Sequence, residues 1–498
     1  MTCRLYSVFL LLASCAAFSS EPSTIITNAT LLSPERSAPL SNAWVRIDQG
    51  LLTQIGTGPV DTTGYTTIDA RGGYLVPGLI DSHVHLYHAT GLKRQYTKDF
   101  DELYKAFMEQ QPRSFLYFGF TTVVELNADT DSNARFEAAP IHPRLAHCGQ
   151  GVILSDGFMA LDLEGTPIDE VYPGYLIDHH GDGLIPPGAD PKKHTPEAVL
   201  EYVREHGGRC VKLYYEEALW WPGGAPPFRL PSAAIVRDVV AAAHAHNMPV
   251  LLHATTPKGH RFALEAGVDI LAHGMWEWPD QAFDAPEPIP EYANIASRVA
   301  KSAISLQPTV STIRNTASLF DPSVLKDPDW VHAVPAPYLA YLQTDGQNQR
   351  EAFITRFGSE FGADKTLKDF PVLMSAFVSR YERLIGRMDA GGAKLLFGSD
   401  TAVGGFGWAS PPGLAGYWEM QAWRRSGVSL QTLFESLTIG NARAFGLDEE
   451  IGTVEAGKRA DLLILDANPL EDVSAYNSIN LVILGGKAMT RDALSAGQ

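Results

Sequence analysis

Short apolar segments recur along residues 78–399, and amphipathic helical stretches separate several of them. The segments are Gly78–His83, Thr121–Leu126, Arg144–His147 or Gly151–Leu154, Cys210–Tyr214, Pro249–His253, Asp269–His273, Ala303–Pro308 and Lys394–Ser399. Helical patterns run over Asp101–Gln111, Pro196–His206, Pro231–Ala245, Gly259–Ala266 and Pro290–Lys301. Strands that alternate with helices pair in parallel, because each crossover brings the chain back in the same direction. Eight such units predict an α/β fold of the (β/α)8 barrel type, with the working groups at the C-terminal strand ends. The third strand has two candidate positions.

Polar residues fall at those strand ends. Gly78-Leu-Ile-Asp-Ser-His-Val-His reads as a strand ending in His-x-His. Side chains alternate along a strand, so His83 and His85 share a face and can bind one transition metal. His253 closes Val250-Leu-Leu-His, His273 closes Ile270-Leu-Ala-His, and Asp400 closes Leu395-Leu-Phe-Gly-Ser-Asp. Lys212 sits inside the apolar strand Cys210-Val-Lys-Leu-Tyr. Singly, a strand-end histidine is more often a hydrogen-bonded core residue, and a strand-end aspartate often caps the next helix. A lysine inside an apolar strand is harder to explain, since desolvating its ammonium is costly. Together the six residues point to a metal site.

Before the barrel, residues 22–77 carry short β-type segments separated by Asn-, Gly- and Pro-containing turns, as in a small β-domain. The net charge of −18 argues against nucleic acid or an anionic membrane surface as partner. Arg4 is followed by the apolar run Leu5–Ala13 and then small residues, the layout of a secretory signal over residues 1–20. Leu12-Ala13-Ser14-Cys15 also has the form of a lipoprotein cleavage box, so export is expected with a lipid anchor on Cys15 as an option. The mature chain keeps Cys148 and Cys210, which an oxidising compartment could join if the fold brings them close.

The motifs Pro77-Gly-Leu-Ile-Asp-Ser-His-Val-His, Val211-Lys-Leu, Leu252-His-Ala, Ala272-His-Gly and Gly398-Ser-Asp-Thr follow one another in order. Thr438-Ile-Gly-Asn-Ala-Arg-Ala-Phe-Gly and Ile451-Gly-Thr-Val-Glu-Ala-Gly-Lys-Arg-Ala-Asp-Leu-Leu-Ile-Leu-Asp complete the set. In these the chain resembles the amidohydrolase superfamily, in its imidazolonepropionase-like branch, which includes Xaa-Pro-type dipeptidases. The resemblance implies a barrel over residues 78–447 and a small β-sandwich built from both chain ends, residues 22–77 and 448–490. Asp461-Leu-Leu-Ile-Leu-Asp and Asn480-Leu-Val-Ile-Leu-Gly-Gly read independently as strands and turns.

The resemblance also implies the roles. His83 and His85 would bind the more buried of two divalent ions, taken as zinc, and His253 and His273 the more exposed one. Carboxylated Lys212 would bridge them, and Asp400 would bind the buried ion and handle the proton as general base and acid. Without the carbamate the site would be mononuclear, with His83, His85, His253 and Asp400 as ligands and His273 orienting substrate. Tyr214 and Tyr215, in the aromatic stretch Tyr214-Tyr-Glu-Glu-Ala-Leu-Trp-Trp, are candidate holders of a small-molecule substrate's carboxylate or carbonyl. Trp220 and Trp221 are read either as pocket walls or as packing over the barrel rim. His142, His147, His179 and His180 lie around the third strand, where loop histidines are usually solvated. The stretch 311–390 is expected to form a lid or a subunit contact, and the chain a homo-oligomer.

The expected activity is hydrolysis of an amide bond in a dipeptide or N-acyl amino acid. Ring opening of a cyclic amide is the alternative, and a non-catalytic barrel that only binds is the remaining one. Ring deaminases typically add a strand-end His-x-x-Glu, and Leu252-His-Ala-Thr-Thr-Pro lacks that glutamate.

Overall fold

The computed structural model describes residues 23–163, 165–219, 228–278, 285–360, 370–402 and 408–497. The leader expected over residues 1–20, with Cys15, and the pair Trp220 and Trp221 lie outside them.

The chain opens with five strands, β1 (Thr24–Leu31), β2 (Leu40–Asp48), β3 (Leu51–Thr57), β4 (Thr66–Asp69) and β5 (Tyr74–Pro77). Along β2 the apolar side chains Ala43, Val45 and Ile47 are buried and their neighbours are not, the period-two pattern of a sheet with one covered face. Eight parallel strands follow: β6 (Leu79–Val84), β7 (Phe120–Glu125), β8 (Arg144–His147), β9 (Val211–Tyr214), β10 (Val250–His253), β11 (Ile270–Ala272), β12 (Ser305–Gln307) and β13 (Lys394–Leu395). The last strands, β14 (Leu462–Leu465), β15 (Ile479–Leu484) and β16 (Lys487–Thr490), return to the first group. Antiparallel pairing of β14 with β5 joins the two chain ends in one eight-stranded sheet of order β16-β15-β14-β5-β1-β2-β3, with β4 beside β1. Its buried face holds Ile26, Val45, Leu75, Leu462, Ile464 and Ile483.

The parallel strands run in chain order, β6-β7-β8 and β9 to β13. Hydrogen bonds close the two gaps into a barrel. Between β8 and β9, Arg209 N donates to His147 O and Val152 N to Lys212 O, both at 2.8 Å. Between the β13 segment and β6, Ser82 N donates to Phe397 O at 3.0 Å and Asp400 N to His83 O at 2.8 Å. The third strand is Arg144–His147, by its parallel pairing with β7, and Gly151–Leu154, with Val152, is the loop that follows it along the seam. Inside the barrel, Ile80, Val124, Ala146, Cys210, Leu251, Ile270 and Leu396 meet Ile439, Ala442 and Phe445 of the segment after the last crossover. Apolar packing fills the end away from the active face, which leaves the C-terminal strand ends for polar groups.

Local signals start the outer helices where the sequence predicts them. Thr195 caps helix Pro196–Glu205, Ser232 caps Ala233–His244, and Thr256 caps Pro257–Ala266, with proline in the first turn of two of them. The stretch expected as a lid or subunit contact contains the crossover between β12 and β13. Helix Phe370–Ala390 turns Tyr381, Leu384, Ile385 and Met388 into the core, and the Tyr381 hydroxyl donates to Pro308 O at 2.5 Å.

Cys148 and Cys210, both fully buried, form a disulfide with their Cα atoms 4.4 Å apart. It crosses the β8–β9 seam and closes a segment of 62 residues, for which loop entropy predicts stabilisation of about 2–4 kcal/mol. The paired change Cys148→Ser, Cys210→Ser is expected to lower the Tm under oxidising conditions and to leave a melt in reductant unchanged. Equal Tm values in both conditions would contradict the bond.

Candidate metal centre

His83 is fully buried at the end of β6, and His85 follows it one residue outside the strand. Their Nε2 atoms lie 3.3 and 3.1 Å from the same oxygen, Oδ1 of Asp400. The three side chains bring ligand atoms within 4.8 Å of one another. The rings of His83 and His273 are 5.0 Å apart, and those of His273 and His253 4.7 Å, so the histidines form one continuous group. Lys212 points into the barrel from β9, with only 2% of its surface exposed. Its Nζ stands 5.8 Å from the Tyr214 ring, which is itself 5.8 Å from the His253 ring.

Partners aim the rings of His85, His253 and His273. Nδ1 of His85 faces Glu125 Oε1 at 3.3 Å. Glu125, the buried last residue of β7, is fixed in turn by the backbone N–H groups of Leu86 and Asn127. Glu216 Oε2 lies 2.8 Å from His253 Nε2, which leaves Nδ1 of that ring as the nitrogen that could bind an ion. His273 Nδ1 is 2.8 Å from the Thr309 hydroxyl, and Thr312 donates to Asp400 Oδ2 at 2.9 Å. Three of these residues have left-handed backbones: His273 at φ 96°, Thr309 at 49° and Asp400 at 56°. Such conformations cost a non-glycine residue about 1–3 kcal/mol and gather where geometry serves a site.

The electrostatics suit a cation. Burial keeps His83 neutral, well below the ordinary imidazole range, and neither of its ring nitrogens has a hydrogen-bond partner. A buried imidazole without partners costs about 1–3 kcal/mol, and a metal bond at one nitrogen relieves it. Burial also opposes charge on His85, but Asp400 and Glu125 outweigh it and push that ring up to about 9. The same two carboxylates favour positive charge at this position. Burial raises Asp400, yet the imidazoles of His83, His85 and His273 keep its carboxyl well below the usual range. Burial brings Lys212 down to about 7 against the pull of Asp400 and Glu125. The residues present therefore fit one metal ion or a pair.

The structure gathers His83, His85, His253, His273, Asp400, Lys212 and Tyr214 and leaves Tyr215 out. Consecutive strand residues face opposite ways, and Tyr215 turns outward to Phe262, ring to ring at 4.3 Å. His142 packs near Phe136, His147 accepts from Gly149 N, and His179 and His180 meet Asp238; none joins the centre. Glu125, Glu216, Thr309 and Thr312 were not singled out from the sequence. A glutamate closing the apolar strand Thr121-Thr-Val-Val-Glu was the one available signal. Aromatic rings border the group, with Tyr87 at 6.2 Å from His85, Phe158 stacked at 6.2 Å from His253, and Trp276 at 4.9 Å from His273.

Comparison with known proteins adds relatives of two kinds. The dihydroorotase of Trichlorobacter lovleyi is 55% identical over 42 residues, 8% of this chain and 10% of that one. The imidazolonepropionase of Phocaeicola vulgatus is 36% identical over 75 residues, 12% of this chain and 18% of that one. The chain thus matches only a small part of the length of these curated relatives. The crystal structure of a Xaa-Pro dipeptidase with methionine bound in its active site superposes with a TM-score of 0.64 at 20% identity. That superposition covers 94% of this chain and 100% of the other, a likeness of fold. The profile of the Amidohydrolase family matches residues 74–316 and 339–489, two blocks that contain the five strand-end residues and Lys212, and the chain belongs to that family.

Proposed function

We propose that the chain is a metal-dependent hydrolase of an amide bond in a small substrate, a dipeptide or an N-acyl amino acid. The observation that carries this is the meeting of His83, His85 and Asp400 on one oxygen, with Lys212, His253 and His273 beside them. The family is metal-dependent. His83, His85 and Asp400 would hold one ion, His253 and His273 a second, and carboxylated Lys212 both. Bound divalent ions of this kind, zinc in our reading, polarise a carbonyl and make water more acidic.

The side chains supply the rest. Asp400 takes the proton of the attacking water on a carboxylate oxygen and returns it to the leaving nitrogen. Its low proton affinity keeps it ready as the base. Tyr214, whose phenol burial holds well above its ordinary value, stays protonated and donates to the substrate's carbonyl or carboxylate. Phe158 lies over His253 and keeps bulk water from that side. Glu125 keeps the Nδ1 proton of His85 in place, so that Nε2 faces the metal. Glu125→Gln is expected to weaken metal binding about 10–100-fold, read by competition with a chelator. Unchanged affinity would remove Glu125 from this role.

The likeness to a Xaa-Pro dipeptidase supports a linear substrate; the matched stretch of an imidazolonepropionase keeps ring opening of a cyclic amide as the second reading. Turnover on a panel decides between them: dipeptides ending in proline, basic or apolar residues, N-acyl amino acids, and small cyclic amides. Release of a free amino acid is the expected result. Ring opening alone favours the second reading, and no turnover by the metal-loaded chain on any of them rejects both. We also propose that the protein is exported, since a buried disulfide persists in an oxidising compartment.

A further inference from the structure

We propose that His179, His180 and Asp238 form a second metal site, on the surface and separate from the barrel centre. Nε2 of His180 lies 2.6 Å from Asp238 Oδ2, and Nε2 of His179 lies 3.7 Å from the same oxygen. The two imidazole centroids are 4.2 Å apart, and the three ligand atoms all fall within 4.8 Å of one another. Zinc bonds of about 2.0–2.1 Å in a tetrahedral arrangement set ligand atoms about 3.3 Å apart, so the observed spacings bracket what an ion needs. A simple hydrogen bond accounts for His180 on Asp238. It does not account for the adjacent His179 turning its own Nε2 to the same carboxylate oxygen.

The chain prepares this meeting. The histidines sit in the β8–β9 connection, and Asp238 sits on helix Ala233–His244. Asp178, almost fully buried, ties the two together. Its carboxylate accepts from His180 N at 3.1 Å, from Ser232 N at 2.8 Å and from the Ser232 hydroxyl at 3.0 Å. Ser232 is the cap of the helix that carries Asp238. Gly183 closes the turn where a side chain has no room, since a Cβ there would lie 2.6 Å from the Asp178 carbonyl oxygen. The loop is therefore held in place without an ion, and little ordering remains to be done when one binds.

Two imidazoles and one carboxylate suit zinc, with nickel and copper as related choices, and the half-exposed setting leaves the other positions to water. An ion here clasps the β8–β9 connection to the helix that follows β9. The same connection carries Phe158, the ring over His253. The clasp thus steadies one wall of the barrel mouth.

The test is a zinc count. Wild type, His180→Ala, Asp238→Asn and Asp182→Asn are each dialysed against zinc buffered at micromolar free concentration and measured by elemental analysis. Asp182 is an exposed carboxylate in the same loop that does not converge on the histidines. The proposal expects wild type and Asp182→Asn to hold one zinc more than the other two. The same count in all four overturns it, as does a loss in Asp182→Asn equal to that in Asp238→Asn. Protease cleavage within residues 150–195 supplies a second readout. Zinc is expected to slow it in wild type and not in Asp238→Asn; equal rates in both overturn the clasp.

Discussion

Asp400→Asn is expected to lower kcat by about 10²–10⁴-fold, the range for removing a general acid–base group. Asparagine keeps the shape of the side chain and can still accept the hydrogen bond of Thr312, which reaches Asp400 Oδ2 at 2.9 Å. It removes the negative charge that His83, His85 and His273 hold in place. The four histidines remain, so metal is expected to stay bound while turnover is lost. The pairing of those two results matters. If kcat falls and metal is lost with it, Asp400 acts as a ligand alone. If kcat stays within about threefold of wild type, the proton is handled elsewhere and the assignment fails.

Lys212→Ala is expected to reduce the metal content of the barrel centre from two ions to one, counted in the Asp238→Asn background so that the surface site does not contribute. An ammonium is no metal ligand; a carbamate formed from its neutral amine and carbon dioxide is an anionic one. Burial at the core of β9 brings Lys212 down to about 7, so the neutral amine that this reaction needs is accessible near neutral pH. Loss of a group that merely orients a ligand costs about 10–100-fold, so loss of the bridge should cost at least about 100-fold in activity. A count near one in both proteins would contradict the paired site. The mononuclear arrangement of His83, His85, His253 and Asp400 would replace it, with His273 left to orient substrate.

The barrel is legible because its strands are short apolar runs, several of them closed by a polar residue, and the helices starting at Pro196, Ala233 and Pro257 follow a Thr or Ser cap. The third strand was ambiguous since Arg144-Leu-Ala-His is short and Gly151–Leu154 is equally apolar. Only the parallel ladder with β7 marks Arg144–His147 as the strand, since both segments bond to the β9 side, His147 O to Arg209 N and Val152 N to Lys212 O. Tyr214 and Tyr215 could not be separated without knowing where β9 ends, because a single residue reverses the face. His83 and His85 announce themselves by spacing along one strand. Glu125, Glu216 and Thr309 do not, since they reach the histidines across neighbouring strands, from 40, 37 and 36 residues away in sequence. Such contacts depend on strand register, which local patterns do not carry. Helix Phe370–Ala390, inside the stretch read as a lid or subunit contact, is hard to place for the same reason: it packs on helices Pro290–Ala300, Val310–Ser318 and Leu414–Arg425, distant along the chain.

The central claim is that a metal held at His83, His85 and Asp400 performs amide hydrolysis. The most direct test is turnover of the panel substrate by chain stripped of metal with a chelator, before and after zinc is restored. The account predicts no release of amino acid from the stripped chain and recovery in proportion to zinc bound, in wild type and not in His83→Ala. Equal turnover with and without metal, or full recovery in His83→Ala, would contradict it.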